Sequence, residues 1–472
     1  MGQCFDGDDG MAKSEKRAEL EQVHDVYREN LKEWEFFGRA YRGGRSWQEA
    51  ELLYRYHEER RISYAERLRQ TPMDNHCKSV VHTYSGFIWR EPPKRSFGSL
   101  ENNRALLAMA VNADKQECSL NEFMKSAQEW ASVFGVCWIV MDKPAAKVRT
   151  KADEIELDVR PYLRLYFPEH VLDWDFTENP FGKLELSYLK VREGLKSAGD
   201  YRYRIWTTKS VEVWRATRRE EPVLESTMVN PIGVVPAVPH YNTKPLMPGL
   251  AISDLQDVAR VQMSLYNDLS ELSQMIRGSN HKTLVKNAKD DASTGAGGVI
   301  VMDEDTLPAK KPYLLQADAD ALAGLLDAME RKVEMINRMA HLTPLRQYRT
   351  QISSAVAIET EFQILNTLLA QKAAQLELTE NRLFRIFCRW EGTDFDQAKI
   401  EIIYPVRFEL RDRGADLEFL TKAKVVAEKI ESPTLRLEID RQLARVVLER
   451  DDVLEVVERE LRGDVSSESG TG

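Results

Sequence analysis

Apolar residues recur at every third or fourth position through much of residues 14–133, which is the spacing of an amphipathic α-helix. Gly43–Gly44 and Pro92–Pro93 interrupt this pattern, because glycine and proline both disfavour a continuing helix. The predicted helices are Ser14–Phe37, Ser46–Arg69 with Ser46 as its N-cap, a segment that Asp74 caps and Pro92 ends, and Leu120–Val133.

The pattern then changes to short runs rich in Val, Ile, Tyr and Trp, the composition that favours strands. The predicted strands are Val136–Met141, Pro161–Phe167, Leu184–Val191, Tyr201–Thr207 and Val211–Thr217. A short polar turn separates the last two, which indicates a β-hairpin. Helices followed by a β region predict an α+β protein.

Two long helical runs, Ser253–Arg277 and Asp318–Ala340, flank a Gly-rich segment, Gly295–Gly298, that precedes a predicted strand. A basic loop, Pro344–Gln351, leads into a very long helix predicted over Ser353–Trp390, with Ser353 or Ser354 as N-cap. The first run carries one apolar stripe, with steps of three and four residues. Its members are Leu255, Val258, Val261, Leu265, Leu269, Leu272 and Ile276.

Beyond the long helix, apolar and polar residues alternate over Lys399–Leu410, as in a half-buried strand. We expect this strand to return to the earlier β region, since a single strand cannot stand alone. Residues 415–462 are helical in pattern, with Ser432–Pro433 as an N-cap and first helical residue. The Ser/Gly/Glu-rich residues 463–472 are expected to be disordered.

Composition narrows the class of protein. The chain has 472 residues, 43% hydrophobic and 30% charged, with a net charge of −10. Its length predicts two to four structural units, and its acidity argues against a protein that wraps DNA tightly. The longest apolar run is too short for a membrane helix, and residues 1–11 do not resemble a signal peptide, so synthesis in the cytosol is expected. Five scattered cysteines without a CxxC pair predict reduced thiols.

Four segments, in this order and spacing, resemble the portal (head-to-tail connector) proteins of tailed double-stranded DNA bacteriophages. Asn75–Pro92 is similar to a family helix with paired valines followed by Gly, an apolar pair and Pro. Leu250–Ser270 is similar to the first stem helix, and Leu284–Asn287 to the strand after it. Ser353–Ile358 resembles the Ser-Gly-x-Ala motif of the tunnel helix, with Ser354 where Gly is common. The Gly-Leu-Ile-Ser phrase that many members show after that helix is absent.

The resemblance implies an α+β, mainly helical portal fold with an α/β wing, a two-helix stem, a small β-containing clip, a long tunnel helix and a helical C-terminal crown. The implied regions are the wing at 1–251, stem helices at 252–278 and 318–340, the clip at 279–317, the tunnel loop, tunnel helix and returning wing strand at 341–412, the crown at 413–462 and the tail at 463–472.

The same resemblance implies a ring, expected to be a dodecamer, at one vertex of the virion capsid. Double-stranded DNA would pass through it during packaging and ejection. The implied partners are the terminase motor, the major capsid protein and the head-completion adaptor and tail proteins. Assembly would take place in the host cytoplasm. Neither enzymatic activity, a cofactor, a metal nor a membrane partner is implied.

Three sets of residues are predicted to serve this function. The tunnel-loop residues Arg346, Gln347 and Arg349 would touch DNA phosphates, unless the arginines pair with acids across subunits. Polar residues of the stem would border the bore, where carboxylates repel phosphate, unless these helices belong to the core of one subunit. They are Gln262, Asp268, Glu271, Glu330 and Glu334. Clip lysines would face partners. They are Lys282, Lys286, Lys289, Lys310 and Lys311.

Two other functions are compatible with the sequence. A metal-dependent DNA-processing enzyme would use Asp173 and Asp175 as ligands, or Asp303 and Asp305. A purely structural capsid scaffold would have no DNA channel. A P-loop motor is excluded over Ser293–Gly298, because no Lys follows the glycines and a predicted strand takes the place of the required helix.

Overall fold

The computed structural model describes most of the chain. It covers residues 15–144, 157–195, 199–218, 220–280, 283–285, 313–315, 319–343, 355–408, 413–428, 430, 432–448, 453, 456–457 and 460–461. These form two compact units, Met1–Arg407 and Phe408–Gly472. Helices and antiparallel sheets both contribute, so the fold is α+β, as predicted.

The α-helices of the first unit lie before residue 135 and after residue 257 in the sequence. They are α1 (Glu15–Glu21), α2 (Asp25–Arg42), α3 (Gly44–Gln48), α4 (Arg61–Gln70), α5 (His76–Ile88), α6 (Arg104–Val111), α7 (Leu120–Phe134), α8 (Val258–Asn280), α9 (Ala319–Met339), α10 (Ala355–Glu391) and α11 (Phe395–Ala398). None of the helices among the residues just given is long and apolar enough to cross a membrane.

Two segments predicted to be single helices each form two helices. Ser14–Phe37 is divided into α1 and α2, because the His24 side chain caps α2 by accepting a hydrogen bond from the Val26 amide. Ser46–Arg69 is divided into α3 and α4, and Ser46 lies inside α3 instead of capping it. The N-cap of α5 is Asn75, one residue after the predicted Asp74.

The helix α7 is confirmed, and its start is well defined by the sequence. Ser119 and Glu122 form a capping box, in which each side chain bonds the backbone amide of the other residue. Gly135 ends the helix at φ +86°, a conformation that favours glycine.

The strands of the first unit form four antiparallel sheets. The strands are β1 (Lys94–Ser96), β2 (Val136–Asp142), β3 (Tyr162–Tyr166), β4 (Val171–Glu178), β5 (Leu184–Gly194), β6 (Tyr201–Thr207), β7 (Ser210–Ala216), β8 (Val223–Val229), β9 (Ala237–Tyr241), β10 (Thr283–Val285), β11 (Tyr313–Leu315) and β12 (Glu401–Ile403). The five strands predicted between residues 136 and 217 are confirmed; β1, β4, β8 and β9 were not predicted.

The larger sheets have simple orders. Strands β4 to β8 form a five-stranded meander, and β2 is the central strand of a three-stranded sheet with β3 and β9. Nearly every residue of β2 is buried, and both α7 and α10 pack against this sheet. This arrangement explains why the β2 sequence is apolar without alternation.

The predicted strand Lys399–Leu410 is shorter than expected and has a different partner. Only β12 is a strand, and it pairs with β1 instead of the sheets that follow α7. The partner could not be seen in the sequence, because Lys94–Ser96 has no strand pattern.

The second unit is a helical hairpin in its described part. Its helices are α12 (Arg413–Glu428) and α13 (Pro433–Val447), which pack on each other. Ser432 caps α13 by accepting a hydrogen bond from the Leu435 amide, and Pro433 is the first helical residue, as predicted.

Candidate functional site

Two long helices form an arm that extends from the first unit's core. Helices α8 and α9 pack on each other, and the two-stranded sheet β10–β11 joins them at one end. These three elements confirm the predicted helix–strand–helix order. We call the described residues of α8 and α9 the paired-helix arm.

Burial falls along the arm with distance from the core. On α8, Val258 and Leu265 are buried, Leu269 and Leu272 are half-buried, and Ile276 is exposed. The predicted apolar stripe is therefore confirmed. The rest of the described chain buries residues in its first half and leaves its last residue, Ile276, exposed. On α9, Ile336 near the core is buried.

Large apolar side chains are exposed on two opposite sides of α9, since residues 326 and 335 are nine positions apart, a rotation of about 180°. Leu326 and Met335 are each at least 40% exposed, although both stand on a long helix. An exposed pair of large apolar residues on one helix is compatible with a surface that another chain covers.

Charged side chains hold the two helices together. Lys332 of α9 donates hydrogen bonds to the Asp268 carboxylate and the Ser264 hydroxyl of α8, the latter at 2.8 Å. Asp268 therefore lies between the helices of one protomer. Asp327 pairs with Arg331 one turn later at 3.0 Å, on the exposed side of α9.

Gln262 fixes the base of α8 inside the protomer. It is 1% exposed. Its amide oxygen accepts a 2.8 Å hydrogen bond from the Cys77 amide of α5, and its amide nitrogen donates to the Ala40 carbonyl of α2. The prediction that Gln262 borders a bore is wrong, because the side chain satisfies buried backbone groups at a three-helix junction.

The segment between α3 and α4 lies against the next turns of α8. Asn267 accepts a 2.6 Å hydrogen bond from the Tyr54 amide and donates to the Leu52 carbonyl. Buried Arg67 donates to the Ser270 hydroxyl at 3.0 Å and pairs with Glu59 at 2.8 Å. These contacts replace the helical hydrogen bonds that the sequence pattern predicted between residues 49 and 60.

Glu271 also has a partner within the protomer. It accepts a hydrogen bond from the Tyr56 hydroxyl. Burial, together with this hydrogen bond, raises the pKa of Tyr56 to about 12, so its hydroxyl stays protonated and keeps donating at neutral pH. Of the five predicted stem residues, only Glu330 and Glu334 have exposed side chains.

A buried polar cluster joins the long helix α10 to the chain just before α8. Lys372 of α10, 1% exposed, donates to the Asp254 carboxylate at 2.6 Å and to the Asn242 side chain. Asn242 in turn donates to Asp254 at 2.9 Å and accepts from the Ser132 hydroxyl of α7. Burial lowers the pKa of Lys372, and the nearby Asp254 carboxylate opposes that shift.

Two further contacts lie near this cluster. The Tyr84 hydroxyl of α5 donates a 2.6 Å hydrogen bond to the Ala340 carbonyl, at the end of α9. His240 of β9 shares a 2.9 Å hydrogen bond with the Thr379 hydroxyl of α10. Burial, with a smaller contribution from charged Lys372, lowers the pKa of His240 to about 3, so the ring is neutral at physiological pH.

A second ion pair contacts α10 at Glu380, eight residues after Lys372. Arg95 of β1 donates two hydrogen bonds to Glu380, at 2.6 and 2.8 Å, and the Tyr404 hydroxyl donates to the same carboxylate at 2.6 Å. Sequence reasoning missed Lys372 and Glu380. One signal was available, since Lys372 falls in line with the apolar residues Leu365, Leu369 and Leu376 of α10.

Two predicted sets lie outside the described residues. They are the tunnel-loop residues Arg346, Gln347 and Arg349, and the clip lysines Lys282, Lys286, Lys289, Lys310 and Lys311. The Gly-rich segment Gly295–Gly298, Asp303 and Asp305, and the predicted caps Ser353 and Ser354 also lie there.

One of the aspartates considered as a metal ligand lies beside a lysine. Asp173 lies 3.7 Å from the ammonium group of buried Lys190, which neutralises it. Within the part of the chain that the structure describes, no group of three or more His, Cys, Asp or Glu side chains is arranged to hold a metal ion.

Comparisons with known proteins give distant structural similarity. No protein-family model matches the chain, and no curated protein matches it. Among solved structures, it is similar to a chain from the neck of an empty gene transfer agent particle computed with C6 symmetry. That similarity has 10% identity and a TM-score of 0.45, and covers 81% of this chain and 94% of that chain. It is also similar to a chain from the virion of a native gene transfer agent particle, with 10% identity, a TM-score of 0.43 and coverage of 77% and 89%.

Proposed function

We propose that this chain is a portal protein, a non-enzymatic ring that conducts double-stranded DNA into and out of a phage capsid. The observation that carries the proposal is the partial burial of the paired-helix arm. Ile276, Leu326 and Met335 are exposed on these two helices, and further copies of the chain would cover them. A closed cyclic ring of arms would bury them and enclose a channel.

The exposed acids of α9 suit the wall of such a channel. Glu330 and Glu334 stand one turn apart and face solvent in the protomer. Carboxylates repel DNA phosphates across about 8–10 Å at physiological salt, which would keep the DNA mobile. Because Asp268 and Glu271 are engaged within the protomer, we assign the lining to α9.

The buried clusters on α10 support the expected role of that helix. Lys372 and Glu380 hold α10 rigidly to the base of the arm and to β1. A tunnel loop carrying Arg346, Gln347 and Arg349 just before α10 would then be positioned by this anchored helix. These three residues are proposed to touch DNA, and the clip lysines to face the terminase motor and later the adaptor and tail proteins.

The remaining regions follow the expected portal organisation. We propose that residues 1–251 and 341–412 form the wing against the major capsid protein, 279–317 the clip, and 413–462 the crown. The ring is proposed to be a dodecamer at the virion's portal vertex, assembled in the host cytoplasm.

Native mass spectrometry of the purified chain tests this proposal. The expected result is one closed oligomer of about twelve copies. Leu326→Asp combined with Met335→Asp should shift it toward monomer, whereas Leu107→Asp, at an equally exposed apolar position on α6, should not. A protein that stays monomeric at 54.3 kDa contradicts the proposal. Cleavage of DNA that requires Mg²⁺ and is lost in Asp173→Asn would instead support the metal-dependent enzyme.

A further inference from the structure

A β-hairpin extends beyond the edge of the five-stranded sheet. In the pairing of β5 with β6, Tyr188 lies opposite Thr207, the last residue of β6. Of the four residues of β5 before Tyr188, three pair only with β4, in the strands that the structure describes, and Ser187 lies at a register shift. A two-stranded hairpin is at best marginally stable in water, so this one has to be supported by its turn or by a partner.

The turn of this hairpin is ordered by hydrogen bonds. The Asn179 side chain accepts from the amides of Phe181 and Lys183, both at 3.0 Å. Gly182 adopts φ +77°, which permits the tight reversal. These bonds order the backbone of the turn. Its Phe181 ring is 93% exposed, and Leu184, three residues later, is 54% exposed.

The hairpin tip is also acidic. Asp175, Glu178 and Glu185 are exposed, against a single base, Lys183, which pairs with Glu185 at 3.3 Å. We define the hairpin tip as Asp175–Ser187. An exposed aromatic ring on an ordered turn, with two more exposed acids than bases nearby in the sequence, is suited to a surface that is both apolar and basic.

The same chain carries a surface of that kind, which we call the arginine patch. Its apolar members, Tyr54 and Ile62, are 69% and 76% exposed. Its exposed basic residues are Arg55, Arg60 and Arg61, and Glu58 in the same segment is an exposed acid, so the patch has an excess of two positive charges. Two of these arginines stand at the start of α4, where the helix dipole disfavours positive charge and the first turn offers no acid. An approaching carboxylate would relieve this conflict.

The arginine patch is rigidly supported. The Tyr54 amide is bonded to Asn267 of α8, and the Tyr64 hydroxyl of α4 donates to the Leu53 carbonyl at 2.9 Å. Both surfaces are thus preformed, which lowers the entropy lost when they meet.

The two surfaces lie toward opposite ends of α2. His24 at the start of α2 stacks on Trp174 of β4 at 4.3 Å, and β4 leads to the hairpin tip. Residues 44–70, with the arginine patch, follow the other end of α2. A helix of 18 residues spans roughly 27 Å, so the hairpin tip cannot reach the patch of its own protomer by a small movement.

We propose that the hairpin tip of one copy docks on the arginine patch of the next copy, as the outer head-to-tail contact of the ring. Complementary surfaces at opposite ends of a protomer generate the heterologous interface that a closed ring of more than two copies requires. The inference rests on the proposed function only in that it requires a ring. DNA is a poorer ligand for the arginine patch, because the exposed apolar side chain of Ile62 makes no favourable contact with phosphate. DNA binding would also give no role to the exposed ring and the acids of the hairpin tip.

Charge reversal and its rescue test the contact in the full-length protein. Asp175→Lys with Glu178→Lys reverses the tip, and Arg60→Glu with Arg61→Glu reverses the patch. Sedimentation velocity measures the protein concentration at which half of the chains are in rings. Each double substitution should raise this concentration by a factor of about ten or more. All four substitutions in one chain should return the midpoint to within about threefold of wild type. Phe181→Ser should also weaken assembly, and Leu107→Ser should not.

Four other results overturn the inference. Rings that assemble normally in every variant would leave the proposed function intact but remove this contact. A four-residue variant that assembles no better than the two-residue variants would show that the charges do not face each other. Reversed arginines that lower the affinity for duplex DNA, with assembly unchanged, would make the patch a DNA surface. A wild-type chain without rings would fail the proposed function as well.

Discussion

Lys372 on α10 lies 2.6 Å from Asp254 in the segment that leads into α8; Lys372 is 1% exposed and the Asp254 side chain 10% exposed. This pair connects the long helix to the base of the paired-helix arm. Asn242 bonds both partners and so satisfies polar groups that burial would otherwise penalise. Hydrogen bonds as well as packing therefore link α10 to the segment that leads into the arm.

Lys372→Met should destabilise the first unit by about 3–5 kcal/mol, because it leaves the Asp254 carboxylate buried without its cation. Asp254→Leu in the same chain should recover at least half of that loss. Urea unfolding followed by tryptophan fluorescence measures both. Arg45→Met is the control, since Arg45 and Glu49 are also 2.6 Å apart but exposed, and it should cost less than about 1 kcal/mol. Equal losses from Lys372→Met and Arg45→Met would show that burial of the Lys372–Asp254 pair does not increase its contribution to the free energy of unfolding.

Gly135→Ala should be much more harmful than Gly44→Ala, although both glycines have positive φ. A Cβ at Gly135 would overlap the carbonyl oxygen of Ala251, whereas one at Gly44 would meet no atom within 4 Å. We expect a loss of about 3 kcal/mol or more at Gly135, and about 1–2 kcal/mol at Gly44 from backbone strain alone. Thermal and urea unfolding measure the difference. Similar losses at both positions would mean that α7 and the segment before α8 do not approach as closely as described.

His240 should make stability depend on pH. Its pKa is about 3 when folded and near 6.5 when unfolded, so its contribution is complete above pH 6.5 and is lost as the pH falls toward 3. Between pH 6.5 and 5 the wild type should lose about 2 kcal/mol through this group. His240→Asn should remove this part of the slope, and His57→Asn, at an exposed position, should not. Parallel wild-type and His240→Asn curves over that range would contradict the buried neutral ring.

Glu330→Lys with Glu334→Lys should leave ring assembly unchanged, because both side chains are exposed in the protomer and neither forms the α8–α9 contact. The new lysines should bind DNA phosphates in the channel. When bound DNA is chased with competitor duplex, less DNA should then be released per assembled ring. The effect should weaken as salt rises. Arg331→Glu is the control from the same helix. Unchanged release, with intact rings, would place these acids away from DNA.

Much of the fold could be predicted from local signals. The capping box Ser119–Glu122 fixes the start of α7, and the long apolar stripes predict α8, α9 and α10. The break at residues 22–24 could not be predicted, because no glycine or proline marks it. It depends on tertiary contacts, in which the His24 amide donates to the Leu172 carbonyl and the His24 ring stacks on Trp174.

The candidate site was less predictable for the same reason. Gln262 stands on the polar side of its helix in the sequence, yet two distant helices, α2 and α5, supply backbone groups that bury it. Lys372 falls in line with the apolar residues of α10, but its partner Asp254, more than a hundred positions earlier, could not be identified from the sequence. Glu330 and Glu334 stay exposed in the described part of the chain, where α8 is the element that packs extensively on α9.

A cryo-electron microscopy map of the purified full-length protein tests the central claim most directly. The account predicts a closed ring in which the paired-helix arms of successive copies surround an open central channel, with Glu330 and Glu334 of α9 on the channel side and Leu326 and Met335 between copies. A ring whose arms point outward, or an assembly without a central channel, would contradict it.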